Sequence, residues 1–309
     1  MKSVVLILPY FGKWPVWFEA HLLSISHNPT IDWLLITDCD IPEFYPKNIR
    51  FISTSLSELN VKVNAIVEAQ VPLSPRKFCD LKPAYGAIFE EYITEYDFWG
   101  FCDMDIIWGA IRTFITPDIL EKYDIISSRK DAISGHFNLF RNTEFYRTLY
   151  KQVPHYKTLF ELPKFQWFDE HVLTSFLQNN PTLCRVYWDD ILLNQERGRD
   201  SHQDYYLDRW LWKSGQMLDT HTQDEVLYLH FINWKRTLTS SEVVYTKAPE
   251  SFYISYSGIH HTQHHPFDFV WNGLYRFFNG YYRREWRRLF LKKIASYTKR
   301  IRKKLNLSL

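Results

Sequence analysis

The sequence predicts an α/β fold, a mostly parallel sheet flanked by helices on both faces. Three observations predict it. Apolar strand runs alternate with helix signals over the first 130 residues, and the runs are near-continuously apolar, as strands covered on both faces are. The ends of three runs carry residues 9–12, Asp38 and residues 103–105, and ligands of such sheets bind beyond the carboxyl ends of the strands.

The first run, SVVLIL at 3–8, stops at Pro9. Residues 14–26 read as a helix with Pro15 tolerated in its first turn. DWLLIT at 32–37 and IRFIST at 49–54 are the next strands. Ser55 followed by Glu58 is a capping box, opening a helix through about Gln70. Pro72 and Pro75 break the chain, and a further helix is expected from Leu81 or Pro83 to Tyr92. YDFWGFC at 96–102 is a short aromatic strand delivering Asp103-Met104-Asp105, and 123–127 and 134–140 give two more strands. Residues 142–152 and 168–178 are helix candidates, and VLYLHF at 226–231 is a strand candidate. With no repeat and no Gly/Ser linker, the expected division is a body, 1–270, and a tail, 271–309.

Composition narrows the function classes. Of 309 residues, 46% are hydrophobic and 23% charged, which is ordinary for a soluble globular protein and excludes disorder and collagen. Aromatic residues reach 18%, a load that suits a large core and also sugar-stacking or membrane-interface surfaces. Residues 271–309 hold 12 Lys or Arg and one acid, a net of +11, which leaves −9 for 1–270. An acidic body argues against nucleic-acid binding, while the basic tail points to an anionic surface. Cys39, Cys79, Cys102 and Cys184 are widely spaced, with no CxxC pair, and read as reduced thiols. Pro9 and Gly12 interrupt the first apolar run too early for a signal peptide, and no stretch reaches the ~18 apolar residues of a membrane span. The expected location is the cytoplasm.

The common nucleotide, P-loop, GxSxG and HExxH fingerprints are absent. What stands out is Asp103-Met104-Asp105. Side chains two apart on a strand share a side, so both carboxylates are expected to face one divalent cation, with Mg²⁺ or Mn²⁺ suiting hard oxygen donors. His230 ends an apolar run far along the chain as a candidate third ligand, and Lys235 follows to meet a phosphate. Asp169 and Glu170 open the helix at 168 after the aromatic approach FQWF; helix-dipole capping is the plain reading of such acids, and a catalytic carboxylate the functional one. Asp189, Asp190 and Asp204 are further acids of this kind. The histidines 260, 261, 264 and 265 read as a polar loop.

With these residues in view, the chain resembles a bacterial GT-A-fold glycosyltransferase family carrying the DxD motif. The resemblance rests on PYFGKWP near the start, KFCDLKPAYG at 77–86, YDFWGFCDMDIIWG at 96–109 and SGHFNLFRN at 134–142. More remotely, the order DxD, acidic helix start, then HFINWK is similar to the glycogenin and bacterial galactosyltransferase group, although Asn233 and Arg236 stand where that group has Gly and Pro. The resemblance implies a GT-A-like, Rossmann-like fold. It implies that Tyr10, Phe11, Gly12 and Asp38 contact the base and ribose of a nucleotide-sugar donor. Lys77, Asp80 and Lys82 would approach the donor sugar or its phosphates, with Gly135 and His136 beside the sugar. Asp103, Asp105 and His230 would hold Mn²⁺ or Mg²⁺, with Asp103 also at the donor, Lys235 at the diphosphate, and Asp169 or Glu170 at the acceptor hydroxyl or the sugar's β-face.

The expected activity is therefore metal-dependent, retaining transfer of a hexosyl group from a UDP-sugar to a glycan or lipid-linked saccharide in bacterial surface polysaccharide synthesis. A phosphohydrolase of the haloacid dehalogenase type also uses Asp-x-Asp after a strand, but normally on the first one. A non-catalytic sugar-nucleotide or glycolipid-binding protein is the remaining alternative. Residues 276–305 place Tyr282, Trp286, Leu289, Phe290, Ile294, Tyr297, Ile301 and Leu305 at three- and four-residue spacing among basic residues. That pattern predicts a basic amphipathic helix lying on the anionic inner face of the cytoplasmic membrane.

Overall fold

The computed structural model describes residues 1–188, 210–220, 222–231, 235, 238–255 and 258–262, with scattered helical positions between 270 and 297. Its centre is a seven-stranded sheet in the order β3-β2-β1-β4-β7-β6-β8. These are β1 (Val4–Tyr10), β2 (Asp32–Thr37), β3 (Ile49–Ser53), β4 (Phe98–Cys102), β6 (Ile125–Ser127), β7 (Phe137–Arg141) and β8 (Val186–Trp188). The short strand β5 (Ile106–Trp108) leaves this sheet. Strands β1 to β4 run parallel and β6 pairs parallel with β8, while β7 is antiparallel to both its neighbours. The sheet is thus mostly parallel, as expected.

Alternation along the strands sorts side chains into two cores. Val5, Ile7, Leu34, Ile36, Trp99 and Phe101 face the layer containing α2 (Leu56–Val67), which contributes Leu59, Val63 and Val67. Val4, Leu6, Leu8, Trp33, Leu35 and Phe98 face α1 (Phe18–Ser26), which contributes Phe18, Leu22 and Ile25. Each such fully buried side chain contributes roughly 1.5–3 kcal/mol by leaving water. The other side of α1 meets a third cluster, through Ala20 and Leu23, built largely on a second, six-stranded sheet. That sheet runs β11-β10-β9-β14-β15-β13. Its strands are β9 (Trp210–Lys213), β10 (Gln216–Asp219), β11 (Glu225–Val226), β13 (Ser240–Ser241), β14 (Ser251–Ile254) and β15 (Gly258–His260). Strand β12 (Tyr228–His230) instead pairs with β5.

Several local expectations shift. The helix read from 14 begins at Phe18, because Trp14 leaves the helical path to stack between Tyr10 (5.6 Å) and Phe18 (4.0 Å). The Ser55–Glu58 capping box is present. Pro75 does not break structure but opens a helix, α3 (Pro75–Phe78), whose cap Ser74 accepts from the Lys77 N–H. From there to Tyr92 the chain is a series of short turns rather than one helix, with Pro83 inside removing a donor. The 142–152 helix is likewise two short pieces, and 168–178 is a π-helical turn, Phe168–Leu173, continuing into Thr174–Asn179. Residues 103–105 form a bend between β4 and β5, not strand. In the tail, Trp286, Phe290, Ile294 and Tyr297 are helical and exposed, and the rings of Trp286 and Phe290 stack at 5.4 Å. The rest of the expected stripe, Tyr282, Leu289, Ile301 and Leu305, lies outside the described residues, as do Asp189, Asp190, Asp204, His264 and His265. No helix among the described residues is long and apolar enough to cross a membrane.

Candidate functional site

The strand order reverses between β1 and β4, two parallel neighbours whose connections leave in opposite directions. Such a switch point opens a crevice at the carboxyl ends of the strands. Cys102 ends β4, and the bend that follows is pinned by Met104, which is buried in the core while its carbonyl accepts from Trp17 Nε1 at 3.0 Å. With the middle residue anchored inward, Asp103 and Asp105 flank it on the open side. Strand β12 pairs antiparallel with β5, placing His230 opposite Ile106, and the Phe231 N–H donates to the Asp105 carbonyl at 2.9 Å. This ladder delivers the imidazole to the carboxylates: His230 Nε2 lies 3.4 Å from Asp105 Oδ1 and 3.8 Å from Asp103 Oδ2. One ligand atom from each of the three residues lies within 4.8 Å of the others. Convergence survives although its expected cause, strand alternation, does not; an anchored bend does the same job.

Two lysines complete the electrostatics. Lys82 Nζ donates to Asp103 Oδ1 at 2.5 Å and to the Gly135 carbonyl, and Lys235 Nζ lies 2.8 Å from Asp105 Oδ2. Burial alone would raise the Asp105 pKa, but His230 and Lys235 hold it well below the usual carboxylate range. Burial likewise works against the Lys82 cation, and the carboxylates of Asp103 and Asp169 keep it above the ordinary lysine value. Two carboxylates with one imidazole fit a divalent cation between hard and borderline, which suits Mn²⁺ and admits Mg²⁺. The ring of His136 stacks on His230 at 4.4 Å, which fixes the imidazole plane.

The opposite wall of the crevice is the π-helical turn, a form that recurs at functional sites. Asp169 is 2% exposed, and its side chain accepts from the Glu170 N–H at 2.8 Å. Burial raises its pKa to about 7, against the opposing pull of Lys82. Glu170 is engaged elsewhere: it accepts from Arg129 at 3.2 Å and from the Gly135 N–H at 3.3 Å, while Arg129 also forms a two-point pair with Asp131. A Cβ on Gly135 would sit 2.9 Å from Glu170 Oε1, so glycine here permits the approach of Glu170 to the backbone. Of the two acids, Asp169 is the one without an ion pair among the described residues.

The remaining expected residues divide. Gly12, at φ +113°, turns the chain after β1 so that its N–H donates to Asp38 at 2.7 Å, joining the ends of β1 and β2. Tyr10 and Phe11 precede it, Phe11 edge-on to Phe78 at 6.3 Å. Lys77 and Asp80 do not line the crevice: they are 1% and 0% exposed and pair at 3.0 Å in the interior. Asp80 accepts there from the backbone of Gln166 and Phe168, while Lys77 reaches the Leu159 carbonyl. The cavity, about 220 Å³, is lined by Lys82, the metal candidates, Gly135, His136, Asp169, Glu170 and Lys235, and also by Arg76, Cys79, Phe165 and Trp167. Sequence reasoning noted the aromatic approach but missed Arg76 and Arg129, for which no spacing or motif gives a signal, and read Cys79 only as a reduced thiol although it lies within the KFCDLKPAYG motif.

A doubly wound α/β sheet with a carboxylate–imidazole–lysine cluster at its switch point defines an α/β protein with a candidate divalent-cation centre. The chain belongs to the family described as "Family of unknown function (DUF6625)", whose profile matches residues 6–263. No curated protein matches it by sequence. Solved structures similar to it include the galactosyltransferase LgtC in complex with donor and acceptor sugar analogs, at 12% identity over 59% of this chain and 73% of that one, with a TM-score of 0.35. The glycosyltransferase GlyE of Streptococcus pneumoniae TIGR4 is similar at 12% identity over 74% of this chain and 54% of that one, TM-score 0.38. Its apo form gives 13%, 61% and 45%, with 0.33. The chain spans about half the length of the GlyE chains. Likeness at this level assigns neither ligand nor activity.

Proposed function

We propose that the protein is a GT-A-like, metal-dependent glycosyltransferase that moves a hexosyl group from a nucleotide-diphosphate sugar, a UDP-sugar, to a glycan or lipid-linked saccharide in bacterial surface polysaccharide synthesis. The observation that carries this reading is the convergence of Asp103, Asp105 and His230 at the switch point, with Asp169 across the crevice. Asp103, Asp105 and His230 would hold Mn²⁺ or Mg²⁺, which supplies Lewis-acid neutralisation of a departing nucleotide diphosphate. Lys82 and Lys235 present ammonium groups to the same anion. The Gly12–Asp38 turn lies at the strand ends where a nucleoside would sit in this reading. Asp169, in its ionised form, faces the acceptor hydroxyl or the sugar's β-face, and the HFINWK string favours retention of the anomeric configuration. Asp103 follows the fourth strand, whereas a phosphohydrolase of the haloacid dehalogenase type normally carries its motif on the first.

The reading extends to location. The protein would work in the cytoplasm with its basic tail against the inner face of the cytoplasmic membrane. The test is a panel of nucleotide sugars assayed for acceptor-independent nucleotide release. Release requiring Mn²⁺ or Mg²⁺, abolished by chelator and by Asp105→Asn in a folded protein, is the expected outcome, and product NMR then reads the anomer. Metal-linked nucleotide binding undiminished in an Asp103→Asn, Asp105→Asn double variant would sink the proposal.

A further inference from the structure

Resting on that reading, we infer that the crevice carries an acceptor subsite for an acidic saccharide, with Trp167 and Phe165 as its stacking corner and Arg76 as the reader of a carboxylate or phosphate substituent. Trp167 is 39% exposed on the cavity wall. Its backbone is left-handed, at φ +52° and ψ +48°, a conformation that bulky side chains avoid and that functional sites retain. The ring of Trp167 lies nearly parallel to that of His171, and its centroid is 4.8 Å from that of Phe165 at 58°. The two rings are tilted to each other, and both residues line the cavity. The apolar face of a pyranose fits such a surface, and its hydroxyls stay in the polar remainder of the crevice.

The charge beside the corner sets the kind of sugar. The Arg76 guanidinium sits over Phe165 at 3.9 Å, held by the ring, and has no carboxylate partner among the described residues. A planar guanidinium fixed at a cavity edge with its donors free matches a carboxylate or phosphate in two-point geometry. The corner is also built, not incidental. Asp80, paired with Lys77 in the interior, accepts from the backbone of residues 166 and 168 and so clamps the chain on both sides of Trp167. The buried ion pair expected at the donor thus holds the acceptor wall. Asp169, two residues beyond Trp167, lines the same cavity, so a sugar on the corner shares that cavity with the Asp169 carboxyl group.

The probes are methyl β-D-glucoside, methyl β-D-glucuronide and glucose 6-phosphate, titrated without metal by saturation-transfer NMR. In the wild type at least one acidic probe should bind about tenfold tighter than the glucoside. Which acidic probe wins identifies the substituent. Arg76→Gln should erase that preference and leave glucoside binding intact. Trp167→Ala should weaken all probes about tenfold, and Trp167→Phe, which keeps an aromatic face and guards against misfolding, should restore most of the loss. Equal binding of neutral and acidic probes, or a preference that survives Arg76→Gln, overturns the inference. Metal-dependent nucleotide release without acceptor, measured on the wild type, tests the glycosyltransferase reading separately.

Discussion

At the scale of single residues, the crevice separates two adjacent acids that the sequence could only offer as a pair. Glu170 spends its carboxylate on Arg129 and the Gly135 backbone, whereas Asp169 is buried beside Lys82 with its pKa raised to about 7. Either role proposed for Asp169 needs the carboxylate, and the acid form predominates below that pKa. Transfer should therefore rise as pH increases through about 7, and Asp169→Asn should lower it by roughly 10²-fold or more at pH 8 with nucleotide binding retained. A pH-independent rate between 6 and 8 would contradict the assignment. The DxD pair and His230 could be singled out in the sequence because two acids follow one apolar run and the histidine ends another, while their convergence is visible only in space. Arg76 and Arg129 could not, since an isolated arginine carries no pattern and only its neighbours in space give it a role.

At the scale of elements, the broken stretch from α3 to Tyr92 shows what periodicity cannot see. The sequence reads as one late helix because its apolar residues are spaced for one, but Pro83 interrupts the backbone hydrogen bonds and Ser74 starts the structure early. The turns put Lys77 and Asp80 inside. Asp80→Asn leaves the Lys77 cation buried without its partner and should cost about 3–5 kcal/mol, while adding Lys77→Met should recover much of that loss. Urea unfolding of the three proteins checks both. Helix α1 offers a second test. The Ile106 carbonyl accepts from His21 Nδ1 at 2.6 Å, tying α1 to β5. Burial lowers the His21 pKa to about 4, outweighing the pull of that carbonyl and of Asp105. The unfolded chain takes up this proton near pH 6.5 and the folded one resists until about 4, so stability is full above 6.5 and falls as pH drops toward 4. The loss is about 3 kcal/mol, and His21→Gln should remove most of that slope in denaturant titrations at pH 7 and 4.5.

At the scale of the whole molecule, the large parallel sheet was legible and the second sheet was not. Strands β1 and β2 are long apolar runs that a one-dimensional pattern reveals. Strands β11 and β13 span two residues each, and their pairing is decided by contacts across the chain rather than by local spacing. The charge asymmetry is also a property of the whole: a body of −9 and a tail of +11 favour an orientation in which only the tail meets an anionic surface. Full-length protein should co-sediment with anionic vesicles, less so at high salt and poorly with neutral vesicles. A chain ending at Pro266 should stay in the supernatant. Equal sedimentation of both would overturn the membrane role.

The ladder between β5 and β12 has a consequence for how the protein comes into being. Lys235 meets Asp105 across 130 positions of sequence, and His230 reaches the same carboxylate from a strand made late. On the ribosome the first sheet can assemble while the nascent chain still lacks the imidazole and the second ammonium. An incomplete polypeptide therefore exposes two acids with only part of their donor set, and the centre matures only after the distal segment has been synthesised and folded back.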